Sequence, residues 1–115
     1  MTTIRFESWG NFRKEFDRLA RKFRSLPEDL ERLKNVIALN PIGTGQHRIV
    51  LHQSRKVSIV KGHLFCKSLR RDSLRIVYAY HEDLITILWI EVYHKADKEN
   101  EDRKRIAEYL NSING

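Results

Sequence analysis

Two periods divide the chain. Between Phe12 and Ile37 apolar residues recur at helical spacing, and from Arg48 onward they crowd into short β-branched runs. Phe12, Phe16, Leu19 and Phe23 follow one another at intervals of four, three and four, which aligns them on one helical face as core. Arg13, Lys14, Arg18, Arg21 and Lys22 occupy the opposite face, as expected for a solvated surface. Pro27, followed by Glu28 and Asp29, marks the start of a second helix. Leu30, Leu33 and Ile37 carry its apolar stripe until "NPIGTG" breaks the pattern. The two helices form a hairpin, preceded by a short strand at "TIRFE".

In the second half, "RIVLH" and "VSIV" read as strands, "HLFCKSL" follows Gly62, and "LRIVYAY" and "LITILWIEVYH" flank "HED", a compact turn. The pattern predicts an antiparallel sheet. Its last strand is apolar at both sets of alternating positions (Leu84, Leu88, Ile90, Val92 and Ile85, Ile87, Trp89), so it should be central or covered on both sides. "KENEDRKRIAEYLNSI" reads as a C-terminal helix with Ile106, Tyr109, Leu110 and Ile113 as its stripe. The class expected is α+β: an N-terminal strand and helical hairpin packed on a four-stranded, mainly antiparallel sheet, then a C-terminal helix. At 115 residues and 41% hydrophobic content, with no linker-like stretch, one domain spanning 1–115 is expected.

Charge changes the picture once it is located. Arg48 to Arg75 holds eight Lys or Arg against one acid, Asp72, whereas fourteen bases and fourteen acids cancel elsewhere. The whole excess of +7 therefore sits in one segment, as a polyanion-binding surface requires, although a solvated basic face would look the same. No charged-then-apolar leader opens the sequence and no apolar run is long enough for a membrane span, so a soluble cytoplasmic protein is expected. Cys66 is the single cysteine; it can form neither an internal disulfide nor a multi-thiolate site, and neither metal nor other cofactor is expected.

"KSLRRDSLRIVYAYHEDLITILWIEVYHKADKENEDRKRI", Lys67 to Ile106, resembles the RelE/ParE superfamily of toxin proteins. In that superfamily a K-x-L-R strand, an R-[IV]-[IV]-Y strand and a last strand ending in basic or His-containing residues follow a helical hairpin. The resemblance implies a concave basic surface and neutralisation by a cognate antitoxin. It also implies one of two targets. RelE-like members cleave mRNA, often on the ribosome, and so inhibit translation; ParE-like members act on DNA gyrase. A non-catalytic nucleic-acid-binding relative is the third reading, since fold does not choose the target. A homodimer or a toxin–antitoxin hetero-oligomer would be compatible with the resemblance.

For the endoribonuclease reading the chemistry needed is a base for the ribose 2′-hydroxyl, cations for the phosphorane and an acid for the leaving 5′-oxygen. Arg75 matches the arginine of R-[IV]-[IV]-Y and Arg70 that of K-x-L-R, which makes them candidate phosphate clamps. Alternation places Arg75 beside Ile90 and Val92 and continues that face to His94. A histidine titrates at about 6.5, so His94 is the expected proton carrier, with Lys95 as a basic companion. The alternative is that His94 and Lys95 merely end a strand. Some relatives use a tyrosine in the following helix; the start of "KENEDRKRI" lacks one, which moves weight onto His94. Tyr93 is expected on the other face with Trp89 and Glu91, Tyr93 as packing and Glu91 facing a nearby base. Lys67, Arg71, His63, Lys61, Arg55 and Lys56 complete the expected RNA-binding set, His63 as a second proton-transfer candidate or a bland strand-edge histidine. His47, His52 and His81 have no supporting neighbours in the sequence.

Overall fold

The computed structural model describes residues 3–43, 45, 47–70 and 72–114. In chain order its elements are β1 (Arg5–Ser8), α1 (Phe12–Lys22), α2 (Leu26–Leu39), β2 (Arg48–Gln53), β3 (Ser58–Phe65), β4 (Ser73–His81), β5 (Thr86–His94) and α3 (Arg103–Asn114). The strands make one sheet in the order β1-β5-β4-β3-β2. Neighbours are antiparallel except β1, which lies parallel to β5. The sheet thus has five strands rather than four, because "TIRFE" joins it as an edge.

The α1–α2 hairpin covers one face. Phe12, Phe16, Leu19, Phe23, Leu26, Leu30 and Ile37 pack on Val60, Leu64, Leu74, Ile76, Tyr78, Ile87, Trp89 and Val92. On the other face α3 lays Ile106 and Tyr109 over Val57, Ile59, Val77, Ala79 and Ile90. With β1 on one side and β4 on the other, β5 is central and covered on both faces, as its doubled apolar pattern requires.

Polar side chains fix the connections. Ser25 donates to Asp29 Oδ2 at 2.6 Å, Asp29 also pairs with Arg32, and its carboxylate accepts the Lys67 backbone N–H at 3.2 Å. The start of α2 is thereby tied to the β3–β4 connection. The buried Tyr78 donates to the Pro41 carbonyl at 2.7 Å, and Arg48 donates to the Asn40 carbonyl at 2.6 Å. Arg48 lies against Gly43, whose φ of +55° and lack of a side chain let the guanidinium in.

The register differs from the sequence expectation in three ways. "VSIV" and "HLF" form one strand, because Gly62 passes through β3 with its open side against Arg48. The turn after β4 is Glu82–Ile85 rather than His81–Asp83, since His81 still pairs with Thr86. A bulge in β5 between the partners of Val77 and Tyr78 then carries Trp89 to the hairpin face, away from Glu91 and Tyr93.

Candidate functional site

Lys61, His63 and Phe65 alternate on one face of β3, and the β3–β4 register sets Val77, Arg75 and Ser73 opposite them. On β5, Tyr93 lies directly opposite Arg75, and on β2, Ile49 lies opposite Lys61. This is the face that α3 covers toward Ile59, Ala79 and Ile90. Where α3 stops covering it, the same alternating positions change from aliphatic to His63, Arg75 and Lys61. There a cavity of about 220 Å³ is lined by His47, Arg48, Ile49, Lys61, His63, Arg75, Lys95, Glu99 and Asn100. It touches three strands and the loop entering α3.

Arg75 is locked onto its own strand. Its Nη1 donates to the Ser73 carbonyl at 2.9 Å and to Ser73 Oγ at 2.7 Å. The same hydroxyl meets His63 Nδ1 at 3.0 Å, so Ser73 couples the guanidinium to the imidazole. Partial burial, then the nearby charges of Arg75 and His47, hold the His63 pKa below the ordinary histidine value. Neutral imidazole is therefore the prevailing form at neutral pH, as a general base needs. Lys61 is paired with the buried Glu101 at 2.8 Å, whereas no carboxylate among the described residues pairs with Arg75 or Lys95. Tyr93, the strand partner of Arg75, is buried beside it: its ring lies under Lys98 Nζ, and burial, with Glu101 and Glu91 adding to it, pushes its hydroxyl up to about 12.

His94 is elsewhere. It pairs with Leu74, not Arg75, and so points to the hairpin face, where its ring meets Phe23 edge-on at 5.7 Å. Its Nε2 lies 3.4 Å from Asp72 Oδ2, and its side chain is 12% exposed. The expected shared surface of Arg75 and His94 is therefore incorrect. A one-position difference in strand pairing exchanges faces, and the bulge at Ile90 sets that difference here: continued without it, the His81–Thr86 register would bring Arg75 opposite Val92 instead of Tyr93. Trp89 likewise parts from Tyr93 and Glu91, while Glu91 does face a base, Lys98.

The remaining candidates scatter. Lys67 and Arg70 lie in the β3–β4 connection, a turn rather than the expected strand, at the same end of the sheet as Phe65 and Ser73. Arg71 lies outside the described residues. Arg55 and Lys56 belong to the β2–β3 turn at the far end of β3, roughly 20 Å of strand from His63. His47, without supporting neighbours in the sequence, lies tilted against His63 with ring centroids 5.4 Å apart, brought there by the β2–β3 pairing. His81, equally isolated in sequence, is buried against the Tyr109 hydroxyl and anchors α3. Among the described residues no cluster of three His, Cys, Asp or Glu could hold a metal, and no helix is long and apolar enough to cross a membrane.

A helical hairpin on one face of a mainly antiparallel sheet is a fold shared with solved RelE toxin structures. Two solved structures carry the comparison. RelE in the archaeal RelE–RelB complex of Pyrococcus horikoshii aligns at a TM-score of 0.60 with 12% identity, over 80% of this chain and 94% of that one. A double-arginine mutant of the Escherichia coli toxin RelE in the free state aligns at 0.57 with 16% identity, over 97% of this chain and 99% of that one. No family model matches the chain, and no curated protein matches it in sequence.

Proposed function

We propose that this protein is a RelE-like toxin that cleaves RNA without a metal, at the cavity between β2, β3, β4 and the loop after β5. The observation that carries this reading is the Ser73-bridged pair of His63 and Arg75 facing that cavity, an imidazole of lowered pKa beside an arginine with no carboxylate partner among the described residues.

With His63 Nδ1–H donated to Ser73 Oγ, Nε2 carries the lone pair and takes the proton of the ribose 2′-hydroxyl. The 2′-oxygen attacks the adjacent phosphorus. Arg75, and Lys61 once it shares its charge between Glu101 and the phosphate, stabilise the extra negative charge of the phosphorane. Lys95 at the cavity rim supplies the proton to the departing 5′-oxygen, leaving a 2′,3′-cyclic phosphate and a 5′-hydroxyl. Arg70 and Lys67, at the same end of the sheet, hold flanking phosphates. Arg55 and Lys56 lie too far for the scissile linkage and serve only a longer RNA track. His94, against Phe23 and Asp72, supports the end of β5.

The basic cavity also needs an inhibitor in the cell. The archaeal RelE is crystallised with RelB, and by the same logic an antitoxin that covers His63, Arg75 and Lys95 with acidic side chains neutralises this chain.

The test is to map 5′ ends on a defined message incubated with the wild type, free and on programmed ribosomes. Cuts that vanish in Arg75→Ala are the result expected. A wild type that leaves every message intact but blocks gyrase supercoiling would replace this reading with the gyrase-directed one.

A further inference from the structure

Beside the charged cavity lies a second one of about 260 Å³ with an apolar lining: Leu33, Val36 and Phe65, closed by Gly45 and by His47, Arg48 and His63. The last three line both cavities, so the two adjoin at these side chains. Phe65 is 58% exposed and Val36 50%, an unusual allotment for aromatic and branched side chains placed together. The Phe65 ring is held nevertheless: His47 stands perpendicular to it at 5.0 Å and His63 tilts against it at 6.0 Å. A cavity this small falls below the usual size of sites for drug-sized ligands.

Phe65 and His63 are two residues apart on one strand face, roughly 6–7 Å along β3. That distance lies within the reach of a single nucleotide. Charge on one side of His63 and an exposed ring on the other match the two parts of a nucleic-acid strand, anionic backbone and apolar base face.

We propose that Phe65, buttressed by His47, is a stacking platform that holds one nucleobase next to the linkage cut at His63. This rests on the RNA-cleaving reading above and adds its substrate requirement: an unpaired base at a fixed position beside the cut. Positioning by the platform favours single-stranded RNA, because a paired base cannot present its face to the ring.

The probe is a fluorescent single-stranded RNA with a 2′-deoxy residue at the cut, which blocks cleavage, and abasic derivatives in which one neighbouring base at a time is removed. Binding is read by anisotropy. In the wild type one abasic position weakens binding about tenfold, the effect of losing one stacked base. In Phe65→Leu, which keeps apolar bulk but no aromatic face, intact and abasic RNA bind about equally, and Phe65→Trp restores the difference. An abasic penalty that persists in Phe65→Leu overturns the platform and leaves the apolar cavity to a protein partner. RNA binding that depends on Arg75 yet shows no abasic penalty at any position overturns the platform alone. No Arg75-dependent binding to any of these RNAs overturns the platform together with the RNA reading on which it rests.

Discussion

The two faces of the sheet are made by the same strands and behave oppositely. Toward the hairpin every inward position from Val60 and Leu64 through Leu74, Ile76 and Tyr78 to Trp89 and Val92 is buried and apolar or, for Tyr78, capped by the Pro41 carbonyl. Toward α3 the inward positions are apolar only as far as the helix reaches. A helix of 12 residues spans roughly 18 Å, less than the roughly 27–30 Å of strands of 8 and 9 residues. Beyond Ile59, Ala79 and Ile90 the alternation continues as Lys61, His63 and Arg75. A charged group left unpaired under a packed helix is unfavourable by several kcal/mol. Such groups are tolerated where cover ends, and coverage therefore sets where chemistry can occur.

Removing a large side chain from the sealed face should have the largest effect. Trp89 stacks on Phe6 and Phe12 and meets Tyr78 edge-on. Trp89→Ala should cost about 3–5 kcal/mol in urea unfolding; a loss below about 1 kcal/mol would mean that this face is not the sealed one. At the open end the ratio of effects reverses. Arg75→Ala should lower RNA cleavage by roughly 10²-fold or more while changing stability by less than about 1 kcal/mol. Full activity, or gross unfolding, would erase the contrast between the ends.

The boundary between the two regimes is held by α3. Arg105 forms a two-point contact with Glu15, at 2.7 Å to each carboxylate oxygen, and donates to the Ile90 carbonyl. Because both partners are largely shielded, Glu15→Gln should cost about 1–3 kcal/mol and loosen α3 more than α1. Hydrogen exchange reads this directly, and equal acceleration in both helices would show that the pair does not anchor α3.

The smallest effect expected is on acidification. Burial lowers the pKa of both His63 and His81. The unfolded chain then takes up protons first as pH falls, so stability present above the ordinary histidine value of about 6.5 declines below it. The Tm should drop between pH 7 and pH 5, and His63→Gln with His81→Asn should flatten that slope. An unchanged slope in the double variant would assign it to other groups.

Much of the architecture was legible because it is local. The spacing of Phe12, Phe16, Leu19 and Phe23, the Pro27 start and the stripe Ile106, Tyr109, Leu110 and Ile113 each depend on residues within a few turns. The site was half legible. Arg75 and Lys61 stood out by charge, but which histidine joins them depends on how β4 pairs with β5 and β2 with β3. The bulge at Ile90 leaves no mark in the composition, and it separates Trp89 from Tyr93. His47 and His63 come together only through strand pairing, and Phe65 looked like one more apolar strand residue. A sign was present in the alternation Lys61, His63, Phe65, which places a cation, an imidazole and a ring on one face of one strand once "VSIV" and "HLF" are joined.

The most direct measurement compares the two histidines that end up on opposite faces. Single-turnover cleavage of one RNA is followed from pH 5 to pH 8 for the wild type, His63→Gln and His94→Gln, with RNA binding measured alongside. Because the His63 pKa is held below the ordinary value, the wild-type rate should rise with pH through the acid range and level off by neutrality. His63→Gln should bind RNA yet cleave roughly 10²-fold more slowly, without that acid limb, and His94→Gln should keep both rate and limb. A His94→Gln protein that binds but does not cut, beside a fully active His63→Gln, would contradict the assignment of the proton transfer to the α3 side of the sheet.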